Sequence, residues 1–456
     1  MTGKRSVVND LTQGSVSKQL LRFSYPYALA NLMLTGYGTL DMIIVGRFAG
    51  SGGIAAMSIG GDLTFFITCI CMGFAMAGQI MISQCVGAKN MKMVSKIIGN
   101  MYSLLLLCAA AVTVISLSLT ENLLMWMNTP DEAWNDTYAF CTLCFSGIVF
   151  SFGFNAVSAT LRGMGDSKHP MMFTAVSAVI NVLLCFLFVA GFRWGGFGAG
   201  LAVVTGQGAA FIISIVYLFK HKESFHFDFG LNSFRPDRTI LLPLLKMGMP
   251  LTLRSGVQIM SNLIINSQVN SFGVTYAAVG GVGQKIGGLQ STFTNTLSES
   301  ATAMDGQNLG AGKPDRVRRV TLISTGWSAV CILIISAALL LFPARIFGIF
   351  TSDPGTLELS HTYVIVLSAM FFGFVTGVGP VAVITAAGDA GMSFAISGFE
   401  AVIGRAGLGL LLGRAFGLDA LGYWIAMAFS PYMSAIVGWV YYLRGRWETR
   451  KLVIDN

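Results

Sequence analysis

"LLRFSYP" at residues 20–26 and "LLKMGMP" at residues 244–250 are nearly the same short text at two places in one 456-residue chain. "QCVGA" (84–88) pairs with "QNLGA" (307–311), and "GMGD" (163–166) pairs with the "AAGD" that ends at residue 389. The interval from Pro26 to Gln84 equals that from Pro250 to Gln307 to within one residue. Three matches at nearly one offset point to an internal duplication, which has to be read before any single element.

Composition says what is duplicated. The chain is 54% hydrophobic and 11% charged, with a mean hydropathy of +0.69. A soluble domain carries about 25% charged residues. Apolar blocks recur along the whole length, each able to cross a hydrocarbon core of about 30 Å. They predict twelve helices: 18–48, 53–85, 95–120, 134–162, 169–192, 195–220, 240–272, 275–308, 318–343, 357–387, 391–414 and 418–443. The expected fold is an all-α integral membrane protein of two pseudo-symmetric six-helix lobes. Its predicted divisions are 1–220, a cytoplasmic linker at 221–239, and 240–456. Six spans per repeat is an even number, so both repeats start on the same side of the membrane and are parallel. A cleft between two similar bundles suits alternating access.

The net charge of +8 does not imply nucleic acid. Most Lys and Arg fall in alternate loops, while the loops of the opposite side hold only Arg47, Arg193, Arg345 and Arg414. The positive-inside rule then puts both termini in the cytoplasm. The eight Cys read as small apolar packing residues, Cys141 and Cys144 included, and no disulfide is expected. The four His are scattered, so no metal site is expected. Glycine-rich "AAVGGVGQKIGGL" (277–289) lacks the spacing and the βαβ context of a nucleotide loop and reads as close helix packing.

Seven charges fall well inside the predicted spans, at least about seven residues from either end: Asp41, Asp62, Arg254, Lys285, Glu299, Glu400 and Arg405. Each costs about 2.5–3.5 kcal/mol at a helix centre, so each should face a cavity or a partner. Asp41 and Asp62 approach from the same outer side. Asp41 lies about seven residues, or roughly 10 Å, deep. Tyr37, four residues earlier, shares its face. A carboxylate there can take up a proton or ligate Na⁺; alternatively it pairs locally near Arg47. Asn155 and Asn181 are amides that either tie helices together or contact a ligand. Arg254, Glu299 and Glu400 fall at one depth near the cytoplasmic side of the second repeat. They predict an Arg254–carboxylate pair in a C-lobe charge network, which either closes the bundle or joins in substrate binding.

Taken together, these residues resemble the multidrug and toxic compound extrusion (MATE) family over essentially the whole chain. The resemblance rests on "LRGMGDSKHP" (161–170), "DMIIVGRFAG" (41–50) with "IAAMSIG" (54–60), the two Q-x-x-G-A ends and the six-plus-six layout. It implies export of organic, often cationic, compounds against H⁺ or Na⁺, with no catalytic residue and no cofactor beyond the coupling ion. Asp41 matches the family's helix 1 Asp and Asn181 its helix 5 Asn; with Asp62 they form the expected coupling-ion site. Cys185 stands where the family often has Asp, and Val203 where it often has Thr. Gln258 stands where some members carry a helix 7 Glu. All three departures lean towards H⁺. Tyr37, Asn155 and Gln258 are the expected substrate-cavity residues. The expected partners are small organic substrates and the bilayer of the cytoplasmic (plasma) membrane, with the chain a monomer. The alternative is a lipid-linked oligosaccharide flippase of the same superfamily, which favours a strongly cationic cleft. An enzyme would need an acid–base cluster near the interface, and none is visible.

Overall fold

The computed structural model describes residues 8–225, 227, 229–450 and 452, and in Leu231 the backbone alone. The protein is a twelve-helix, two-lobe membrane fold. The spans are α1 (Val16–Phe48), α2 (Gly50–Gly87), α3 (Met91–Ser118), α4 (Asp131–Ser146 and Ile148–Gly163, bent by 47°), α5 (Lys168–Gly191) and α6 (Gly195–Lys220). The second set is α7 (Arg238–Asn270), α8 (Val274–Gly310), α9 (Pro314–Leu341), α10 (Pro354–Ala386), α11 (Ala390–Ala415) and α12 (Asp419–Leu443). Nine of these among the described residues are long and apolar enough to cross a membrane by themselves, and the bent α4 makes ten. The other two, α7 and α8, are long enough but diluted by Ser, Thr, Asn, Gln and Gly.

The duplicated texts make the same local structures. "QCVGA" and "QNLGA" end α2 and α8 alike: Asn90 N donates to Cys85 O, and Lys313 N to Asn308 O. The residue before each donor is left-handed, Lys89 at φ 58° and Gly312 at φ 66°. "GMGD" and "AAGD" turn the chain into α5 and α11. Gly165 and Gly388 take φ 84° and 77°, a region glycine enters without a Cβ penalty. The Asp that follows each one accepts from backbone amides of the next helix: His169 N for Asp166 and Met392 N for Asp389.

The compact units do not divide at the linker, as the sequence reading had it. Among the described residues, one unit comprises 8–10 and those of Tyr25–Thr252; the other comprises Leu11–Ser24 and those from Leu253 on. Of the three crossing points, one precedes α1, and the other two lie inside helices, within two residues of Pro26 in α1 and of Pro250 in α7. A helix-interior proline removes a backbone bond and weakens the helix at that point. Packing explains the assignment. Leu11, Val16, Leu20 and Phe23 are buried with Leu297, Ala301, Met304 and Val320 of α8 and α9. The carbonyls of Gln13 and Gly14 just before α1 accept from Arg316, at 2.9 and 2.7 Å. In the other unit, Thr252 Oγ1 donates to Ile70 O at 3.2 Å.

The stretch 221–239 belongs to the first unit, because its aromatics are core. Phe225 and Phe227 are buried, and Phe227 packs edge-on to Tyr102 and Phe234. Ser103 Oγ donates to Phe234 O at 2.7 Å, and Asp237 N donates to Asn100 Oδ1 at 2.7 Å. A Cβ on Gly99 would lie 1.8 Å from the Ser233 carbonyl oxygen. Backbone has to move to admit it, so Gly99→Ala should lift this segment off α3. The expected loss is about 1–3 kcal/mol, read as a lowered Tm of the purified protein; an unchanged Tm would mean that the segment is not docked there.

Candidate functional site

Asp41 is 1% exposed in the C-terminal half of α1. Asn181, on α5, is 2% exposed, and its Nδ2 donates to Asp41 Oδ2. The other oxygens, Asp41 Oδ1 and Asn181 Oδ1, are buried with no nitrogen or oxygen hydrogen-bond partner among the described residues. Tyr37 faces Asp41 and Cys144, and Cys185 faces Asp41. Around this pair the lining is apolar: Val45, Phe140, Cys144, Cys185, Val189, Ala199 and Ala202 form one buried cluster, with Val203 packed against it. Among the described residues this buried carboxylate has the Asn181 amide and the Cys185 thiol beside it and no ion pair.

The α5 helix changes character at this point. Beyond Cys185 it continues as a π-helical segment, Phe186–Gly191. Such segments often occur at functional sites, because the wider turn re-aims side chains. The span in the same place of the second repeat, α11, holds two of them, Phe399–Gly407 and Leu411–Ala415.

The remaining expected residues fall differently. Asp62 is exposed on α2 rather than buried with Asp41 and Asn181. Asn155 is half-buried and spends its Nδ2 on Ser151 O, 2.9 Å away on its own helix, so this bond joins no helices. Gln258 belongs to a charge cluster: its Oε1 accepts from Arg405 at 3.0 Å.

Among the described residues, the buried ion pair of the second unit is not the Arg254–carboxylate pair the sequence reading proposed. Glu400 pairs with Arg405 at 2.8 Å, their side chains 6% and 4% exposed. Arg405 also donates to Asn262 Oδ1 at 2.8 Å. Arg254 is half-buried within electrostatic range of Glu400, and Glu299 is half-buried on α8. The reason is local geometry. Five residues are about 1.4 turns of an α-helix, which would splay Glu400 and Arg405 apart. Both lie in the π-helical segment Phe399–Gly407, whose i→i+5 pattern brings them together.

Asp305, in "AMDGQNLGA", escaped the sequence reading altogether. It is 0% exposed, and neither carboxyl oxygen has a hydrogen-bond partner among the described residues. A count of charges extended to the last turn of span 8 would have found it. A cavity of about 630 Å³ in the first unit, lined by Tyr102, Phe152, Phe211, Phe229 and Phe234 among others, contains none of the expected site residues.

The fold is that of a multi-pass membrane protein. The MatE family profile matches residues 26–187 and again 250–408, so the chain belongs to that family. The two matches begin at Pro26 and Pro250, in register with the duplicated texts. The chain is 28% identical over 449 residues to the probable multidrug resistance protein YpnP of Bacillus subtilis (strain 168), covering 98% of this chain and 99% of that one. It is 25% identical to the probable multidrug resistance protein YoeA of the same organism, with 98% of each covered. Among solved structures, an outward-facing multidrug resistance MATE family transporter superposes with a TM-score of 0.91 at 20% identity, covering 99% of this chain and 100% of that one.

Proposed function

We propose that this protein is a secondary antiporter that exports organic, cationic or amphipathic drugs and toxins across the cytoplasmic membrane, driven by proton influx. Both termini face the cytoplasm in this reading, in line with the distribution of Lys and Arg. The observation that carries it is the Asp41–Asn181 pair with its two unpartnered oxygens. One proton on Asp41 Oδ1 supplies the donor that this buried pair lacks, whereas a metal ion needs several oxygens at once. The apolar Cys185 and Val203 offer none. The names of YpnP and YoeA support drugs as the cargo.

The test uses everted membrane vesicles with an imposed pH gradient. Adding ethidium or a fluoroquinolone should release protons from the vesicle interior in Na⁺-free buffer, and drug should accumulate. Accumulation that needs Na⁺ and ignores the pH gradient would overturn the proton assignment. A gain-of-function variant probes the same point. Cys185→Asp with Val203→Thr adds a carboxylate and a hydroxyl beside Asp41 and should make transport respond to Na⁺. An unchanged Na⁺ response would show that these two positions do not decide the ion.

A further inference from the structure

A second cavity, of about 580 Å³, lies in the C-terminal unit between the start of α11 and the end of α12. Its polar lining is Asp389, Tyr441, Arg444, Arg446 and Arg450, and its apolar lining includes Met392 and Val440. Three guanidiniums therefore face one carboxylate. That carboxylate is already engaged: Asp389 Oδ2 accepts from Arg450 at 2.7 Å and from Tyr441 Oη at 3.0 Å, while Oδ1 accepts from Met392 N. Arg450 thus neutralises Asp389. Arg444 and Arg446 are exposed and have no ion pair or hydrogen-bond partner among the described residues.

The rest of the cavity adds to this surplus. The first turn of α11 presents its positive dipole end here. At Gly391, in that turn, a Cβ would meet nothing within 4 Å, so the backbone is open to the cavity. The apolar part runs on into lipid-facing surface: Val440 is 44%, Ile436 63% and Leu443 77% exposed along α12. A charged mouth that opens onto an apolar wall at a helix end has the two-part chemistry of a phospholipid. Guanidinium groups match phosphate oxygens geometrically, and basic pockets between membrane helices bind anionic head groups.

We propose that this cavity is a binding site for a phosphate-ester head group, with Arg444 and Arg446 on the phosphate and the acyl chain along Met392 and Val440, so that its ligand is an anionic phospholipid of the adjacent leaflet. The site is separate from the coupling pair and does not depend on which ion drives transport.

The experiment is native mass spectrometry of the delipidated full chain titrated with phosphatidylglycerol, with phosphatidylcholine as the zwitterionic control. Wild type should retain one phosphatidylglycerol in preference to phosphatidylcholine. Arg444→Gln should weaken this about tenfold, and adding Arg446→Gln should weaken it about tenfold again, since each removes one charge-assisted contact. Gly391→Glu provides a fold-safe companion. An acid in the first turn favours the helix, yet it puts a negative charge into the cavity, and it should abolish the preference. Lys89→Gln with Lys92→Gln, basic changes in the other unit, should leave it intact. Equal retention of the two lipids, wild-type binding by the arginine and Gly391 variants, or an equal loss in the lysine variant would overturn the proposal. A further arm separates the sources of phosphate. Millimolar glycerol 1-phosphate should fail to displace the lipid; complete displacement would reassign the site to a soluble phosphate ester and overturn the lipid assignment.

Discussion

Replacing Asp41 by Asn is expected to abolish pH-gradient-driven drug accumulation, a loss of more than about tenfold, while leaving the protein folded. The substitution is close to isosteric. The new amide oxygen still accepts from Asn181 Nδ2, and the new NH₂ permanently supplies the donor that Asp41 Oδ1 and Asn181 Oδ1 lack. The variant is thus fixed in a copy of the protonated state. A carrier that cannot lose its proton has no means of exchanging it for drug. Elution volume and Tm should stay close to wild type, because no buried group loses a partner. Asp41→Glu, which keeps a titratable carboxyl, should retain part of the coupled transport. Everted vesicles measure both variants. Accumulation by Asp41→Asn within about twofold of wild type would remove Asp41 from the coupling mechanism.

The second large effect concerns stability. Arg405→Met should lower the stability of the C-terminal unit by about 3–5 kcal/mol, because it leaves Glu400 buried without its partner. On a domain of this size that is a fall in Tm on the order of 10 °C. Gln258 and Asn262 would lose a donor as well. Replacing both members, Glu400→Leu with Arg405→Met, should recover most of the loss, since an apolar pair of similar volume often matches or betters a buried ion pair. Thermal unfolding of the four proteins completes a double-mutant cycle. A single variant within about 1 kcal/mol of wild type would mean that water reaches the pair. Arg254→Met is the informative control: it makes no ion pair with Glu400 and should cost much less.

The architecture was largely legible because it is written in long-range statistics. Twelve apolar blocks, a charge alternation and three duplicated texts each survive errors of a few residues. The site was legible only where one residue settles the chemistry. Asp41 is costly in a span and Asn181 follows from family position, and the structure joins the two. Asp62 was placed by depth alone, and depth does not say which way a side chain turns. The Glu400–Arg405 pair was illegible for a sharper reason: α-helical periodicity assigns the two residues to different faces, and no pattern in "FEAVIGRAG" (399–407) announces a π-helical turn. The partition of the chain into units was missed because "KHKESFHFDFGLNSFRPDR" (220–238) reads as solvent-exposed by composition. Phe225 and Phe227, however, are buried, and Phe227 packs edge-on to Tyr102 of α3.

The exchange at Pro26 and Pro250 bears on how such a molecule can be built at all. Each repeat sends its opening helical segment to complete the other repeat's unit, as partners do in an arm-swapped dimer. Severing the chain between 221 and 239 would therefore not yield two self-sufficient halves. Each fragment would lack a piece of its own fold and carry a piece of its sibling's. Each unit draws segments from both repeats, so the two repeats depend on each other for completion.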